Sequence, residues 1–151
     1  MTLVLPNLKE KQMGQVLTTI TVTNRIDKVL ADRGFISPDE IRTLTLDQVL
    51  VDTGATLLSL PAKIISQLGL IQVGERDVET SAGIKKGRIF ADVQLFVEGR
   101  EGRFDCLELP EGVNTVLLGV TPLEILGLEP DLKNQRLRVL PMNEKQTYLM
   151  V

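Results

Sequence analysis

The chain has 151 residues, 43% of them hydrophobic and 25% charged, with a net charge of −3, which fits a globular domain with a single core and excludes disordered and fibrous classes. With 3% aromatic residues, no Trp and an acidic balance, it lacks both the basic face that a phosphate backbone demands and the rings that stack on bases, so no nucleic-acid partner is expected. Histidine is absent, which removes Ser-His and Cys-His nucleophiles and every imidazole zinc site, so hydrolytic chemistry has to be done by carboxylates.

The one cysteine, Cys106, cannot form an internal disulfide and reads as a small core residue in a reducing compartment. Leu3-Val4-Leu5 is too short for a signal-peptide core and Pro6 follows it at once; no stretch has the length of a membrane span. A soluble, cytoplasmic protein without a membrane partner is the expectation.

In chain order, residues 1–13 show no period and read as a flexible tail, with Met13 a possible alternative start. Gln15 to Thr23 is rich in β-branched residues, with Val16, Thr18, Ile20 and Val22 on one face, and predicts a strand. Asn24 is placed to cap a short helix through Arg33, its buried stripe Ile26, Val29 and Leu30, closed by Gly34. Ser37-Pro38-Asp39-Glu40 reads as a capping box with proline at the first helical position, opening a second short helix toward Leu44. Together residues 24–44 look like a helical insertion between strands.

Leu46 to Val51 predicts a strand running straight into Asp52-Thr53-Gly54, and Leu57 to Leu60 another. Pro61 begins a helix with Ile64, Ile65 and Leu68 inward, ended by Gly69. Strands and tight turns follow, with turn signals at Ala82-Gly83, Lys86-Gly87, Glu98-Gly99 and Glu111-Gly112, and with Ile89, Ala91, Val93, Leu95 and Val97 alternating between two of them. Val116-Leu117-Leu118-Gly119 reads as a buried strand, Pro122 to Leu126 as a helix closed by Gly127, Pro130 to Asn134 as a turn and Arg136 to Leu140 as a last strand; residues 142–151 read as a tail. The expected fold is mainly β, a closed, barrel-like domain over residues 14–141 with a few short helices.

The stretch Val49-Leu50-Val51-Asp52-Thr53-Gly54-Ala55-Thr56 carries the chemistry. A bare Asp-[Ser/Thr]-Gly is a common turn, expected by chance on the order of 0.05–0.1 times in such a chain. The apolar residues before it and Ala55 behind it make this one more specific. Asp52 leaves a strand end on a tight turn, Gly54 lets backbone approach the carboxylate closely, and backbone N–H groups there can hold it in plane. The stretch resembles the active-site loop of clan AA aspartic peptidases, and the chain from about Gly14 to Leu140 resembles the small retropepsin-like proteins of bacteria and archaea. Leu117-Leu118-Gly119 with the following helix matches the second signature of that family, and Thr80-Ser81-Ala82-Gly83 lies where the family has a β-hairpin flap.

The resemblance implies an aspartic endopeptidase of the acid-protease fold, with catalytic Asp52, Thr53 and Gly54, substrate contacts from Ala55, Ser81, Ala82 and Gly83, and no cofactor or metal. It further implies that the Thr53 hydroxyl bonds across a dimer. Two carboxylates roughly 3 Å apart cannot both ionise, so they share one proton and divide the work of acid and base. No second Asp-[Ser/Thr]-Gly occurs in the chain, so the partner carboxylate is expected from Asp52 of a second copy on a two-fold axis, in a homodimer acting on peptide or protein substrates.

Other readings fit less well. The sugar-kinase and actin type of phosphate loop also reads apolar-Asp-x-Gly-x-Thr but needs two large domains, and an aspartyl-phosphate site needs partners that are missing after Asp52. Asp77, Asp92 and Asp105 match no metal-ligand spacing, and Glu124 reads as a structural hydrogen-bonding residue. A non-catalytic dimerisation or peptide-binding module on the same fold remains the alternative function.

Overall fold

The computed structural model describes residues 15–141 and, as backbone alone, the short strand Leu3–Val4. The rest of the two stretches read as tails lies outside the described residues. In chain order the elements are β1 (Leu3–Val4), β2 (Val16–Asn24), α1 (Arg25–Asp32), a 3-10 turn (Pro38–Glu40), β3 (Thr43–Val51), β4 (Leu58–Leu60), α2 (Ala62–Leu68) and β5 (Ile71–Thr80). They continue with β6 (Gly83–Val97), β7 (Arg100–Glu108), β8 (Leu117–Leu118), α3 (Val120–Leu126), β9 (Leu128–Asp131) and β10 (Arg136–Val139). The protein is mainly β, one large sheet with a few short helices.

The large sheet has eight strands in the order β1-β5-β6-β2-β3-β8-β4-β7, and β7 pairs in addition with β6. Along one edge β6 makes a long hairpin with β5 from Gly83 to Ala91 and then pairs with β2 from Val93 to Phe96, while β7 pairs with its other edge from Ile89 to Val97. The change from β5 to β2 falls at a bulge in the β7 ladder between Phe90 and Val93, where Asp92 has φ 67° and the alternation of the strand is reset. Val16, Ile20 and Val22 of β2, Val49 and Val51 of β3, Val93, Leu95 and Val97 of β6 and Cys106 of β7 enclose one aliphatic core, closed by Leu68, Leu123 and Leu126 from the helices.

The insertion over residues 24–44 is less helical than its pattern suggests. Asn24 caps α1 through its side chain, accepting from Asp27 N at 3.0 Å, and its amide donates to Leu68 O at 2.8 Å, which ties the start of α1 to the end of α2. The capping box at Ser37 forms, but the helix stops after one 3-10 turn. The chain extends there because the Arg42 N–H is taken by Asp27 and its carbonyl accepts from Asn24 N, which draws Thr43 into the ladder opposite Thr23. Ile26, expected on the buried stripe, is 46% exposed, and the buried residue of α1 is Asp27.

Asp27 receives Arg42 N at 3.0 Å, Nε at 2.8 Å and Nη2 at 3.0 Å. The hydrogen bonds from the Arg42 side chain hold its carboxyl below the ordinary carboxylate value, against the opposing effect of burial. A group whose folded value is depressed stabilises the protein above its unfolded pKa and loses that contribution as pH falls through the folded one. Asp27→Ala is therefore expected to cost about 2 kcal/mol at pH 7, a figure limited by the half-exposed guanidinium, which regains water when its partner goes. In urea titrations the gap to the wild type holds down to about pH 5 and narrows below about pH 4. A gap independent of pH would mean that the carboxylate charge is not what holds Arg42.

Two turn readings also change. Lys86-Gly87 is no turn but lies inside β6 opposite Asp77 and Arg76. Pro130 sits in β9, paired with Leu137 of β10, and the turn itself is held by Asp131, whose carboxylate accepts from Asn134 N at 3.2 Å and Nδ2 at 2.8 Å.

Candidate active site

The site is built by threading one strand between two others. Leu50 and Val51 at the end of β3 pair in parallel with Leu117 and Leu118 of β8, while Ser59 of β4 pairs antiparallel with Leu117 from the other side. The segment from Asp52 to Leu57, which joins β3 to β4, must therefore pass over the end of β8. Asp52 N donates to Leu118 O at 3.0 Å, so the parallel ladder runs on into the aspartate itself.

Asp52 is 2% exposed, and its Oδ1 accepts from Gly54 N at 2.8 Å while its carbonyl accepts from Ala55 N at 3.1 Å. The bond from Ala55 N fixes the turn, and the one from Gly54 N helps to orient the carboxylate from the backbone. Thr53 and Gly54 are exposed at the tip of the turn. Ala55 is buried against Leu50, Leu109 and Leu117. The crossing is pinned by Val120 N donating to Ala55 O and Thr121 N to Thr56 O, each at 2.9 Å. Gly119 stands where the two chains touch: a Cβ there would lie 2.5 Å from Leu57 O and 2.7 Å from Ala55 O.

Ser81, Ala82 and Gly83 form the tip of the β5–β6 hairpin. Thr80 Oγ1 accepts from Ala82 N at 3.2 Å and donates to Gly83 O at 2.8 Å, and Gly83 has φ 102°, a left-handed conformation that suits glycine. The hairpin meets the aspartate loop below its tip, where Leu57 packs against Val78, Ile89 and Leu107. Thus Asp52, Thr53, Gly54 and Ala55 share one turn, and the tip residues belong to a second element that leans on that turn through Leu57. The part of Leu57, and the reason for glycine at 119, go beyond what the motif itself suggests; the first follows from the packing of the β5–β6 hairpin and β7 on Leu57, the second from β8 lying between β3 and β4.

Among the described residues there is no group of three or more His, Cys, Asp or Glu side chains that could hold a metal ion. Asp77 pairs with Lys86 at 2.7 Å, whereas Asp92 and Asp105 face an open cavity of about 290 Å³ together with Leu57, Phe104, Thr121 and Pro122. Cys106 is fully buried, and burial pushes its thiol up to about 12, the signature of an unreactive core thiol. Glu124 is exposed on α3. No helix among the described residues is long and apolar enough to cross a membrane. Compared with known proteins, the chain matches no family model and no curated protein.

Proposed function

We propose that the chain is one subunit of a two-fold aspartic endopeptidase of the retropepsin-like kind, in which Asp52 of each copy supplies one carboxylate of a shared pair. The observation that carries this reading is the buried Asp52 carboxylate, oriented by Gly54 N–H on a loop pinned across β8, with Thr53 exposed beside it. The pairings that run β6-β2-β3-β8-β4-β7 and return to β6 support a closed, barrel-like body of the acid-protease type. The β5–β6 hairpin, projecting from that ring and leaning on Leu57, suits a flap over an extended peptide.

In this reading the two-fold axis passes between the Thr53 side chains. The ionised carboxylate takes a proton from a water whose oxygen attacks the scissile carbonyl carbon. The protonated carboxyl gives its proton to the carbonyl oxygen. The tetrahedral diol then collapses: the C–N bond breaks, the nitrogen leaves with the proton first taken from the water, and one diol hydroxyl returns its proton to the other carboxylate as the carbonyl re-forms.

Two measurements on the full chain test the proposal. Sedimentation at micromolar concentration is expected to give about twice 16.7 kDa. Hydrolysis of fluorescein-labelled, unfolded casein is expected over a series of acidic to neutral buffers. A strictly monomeric chain that still cleaves casein would overturn the shared site. A dimer that cleaves nothing at any pH would leave a peptide-binding module in its place.

A further inference from the structure

β5 is the strand of the hairpin farthest from the ring, and one of its edges is used by β6 from Ile71 to Thr80, with a bulge that leaves Val73 out of the ladder. On its other edge β1 adds in parallel, Leu3 opposite Val78 and Val4 opposite Glu79, and ends the sheet. A two-residue strand from elsewhere in the chain, laid on an open strand edge, is the geometry by which extended peptides add to sheets. Its position is specific. Val78 is the β5 residue that packs with Leu57 behind the Asp52 turn, and Thr80 begins the hairpin tip. Among the described residues no other strand pairs with that edge, and along it Ile71 and Val73 are 69% and 59% exposed beside the exposed, charged Glu75 and Arg76.

We infer that the outer edge of β5 is a docking edge for an extended peptide and that Leu3–Val4 is its resident intramolecular occupant, which an incoming peptide has to displace. The inference rests on the reading of the β5–β6 hairpin as the cover of a peptide-binding cleft, and not on catalysis by Asp52. Because Leu3–Val4 belongs to the same chain as β5, its pairing is intramolecular, which corresponds to an effective concentration on the order of millimolar. A peptide added in solution competes with that, so its apparent dissociation constant is raised by the inverse of the fraction of molecules whose edge is open. The bland account of β1 is that it merely covers an edge strand against aggregation. That account expects no exchange with peptides in solution.

The test uses the full chain carrying Asp52→Asn, so that nothing is cut, and a fluorescently labelled peptide with the sequence of residues 1–8. Binding is read by anisotropy in this protein and in one that carries Leu3→Pro and Val4→Pro as well, which removes both backbone donors of the resident strand. The proline protein is expected to bind the peptide about tenfold more tightly, as it would if about one molecule in ten is open at rest. Amide exchange at Val78 to Thr80 is expected to speed up in the proline protein and to slow again when unlabelled peptide is added. A chain beginning at Met13 is expected to behave as the proline protein does, which guards against misfolding caused by the prolines. Equal affinities in all three proteins would overturn the inference, and so would faster exchange at Val78 that peptide fails to reverse. Absence of casein hydrolysis by the wild type, with the affinity gain intact, would remove the peptidase reading and leave the docking edge standing.

Discussion

Asp52→Asn is expected to yield a folded, paired protein whose peptide hydrolysis is lost, with a fall of about 10²–10⁴-fold from removal of the general base alone. The reason for expecting such a clean separation is geometric. The asparagine Oδ1 still accepts the Gly54 N–H that the aspartate now accepts at 2.8 Å, and the backbone bonds from Asp52 N to Leu118 O and from Ala55 N to Asp52 O are untouched. In the proposed dimer the change also removes the repulsion between two facing carboxylates, so the thermal midpoint is expected to stay level or rise slightly. Asp52→Ala is the useful companion, because it deletes the Gly54 acceptor as well. It is expected to lose the same activity and in addition about 1 kcal/mol of stability. Measured together as turnover and thermal midpoint, the two variants distinguish a catalytic aspartate from a turn former. If Asp52→Asn keeps its turnover, Asp52 is not the base.

Much of the local structure was legible because it depends on few residues at a time. Asn24 caps α1, and Gly69 and Gly127 end α2 and α3 in left-handed conformations, as the residue types alone suggest. Where the reading went astray, a distant partner had intervened. The capping box at Ser37 promised a helix, but Asp27 and Asn24 claim the backbone of Arg42 and pull the chain into β3. Gly87 looked like a turn glycine and serves packing instead: a Cβ there would meet Val78 Cγ2 at 2.6 Å and Leu107 Cδ1 at 2.7 Å, two side chains that cross the face of the hairpin.

The candidate site divides in the same way. Asp52-Thr53-Gly54 and Leu117-Leu118-Gly119 could be picked out separately from their residues. Their mutual position could not, because it arises from a parallel pairing between segments more than sixty residues apart, Leu50 with Leu117. The packing of Leu57 on Val78, Ile89 and Leu107, and the strand that Leu3–Val4 adds to β5, are likewise products of tertiary contact with no local pattern to announce them.

That mutual position makes Gly119→Ala the second large effect. The backbone at Gly119 is extended, with φ −90° and ψ −175°, so alanine meets no conformational penalty there. The difficulty is space. Its Cβ would fall 2.5 Å from Leu57 O, 2.7 Å from Ala55 O and 2.8 Å from Leu57 N, and all three neighbours are backbone atoms. A side chain could rotate away; a loop held by Val120 N to Ala55 O and Thr121 N to Thr56 O can yield only by breaking those bonds. Overpacking of this kind costs about 3 kcal/mol, with a fall of the thermal midpoint on the order of 10 °C. On the proposed function, activity is expected to suffer even at temperatures where the variant is folded, since a loop displaced by about 1 Å carries Asp52 away from its place in the proposed pair. Gly74→Ala is the control: its φ is not in the left-handed region and its Cβ would meet only Arg76 Nη1, at 3.9 Å, so stability is expected to change by less than about 1 kcal/mol. Equal midpoints for the two alanine variants would show that the aspartate loop does not press on β8 at Gly119, and the arrangement that orients Asp52 would have to be redrawn.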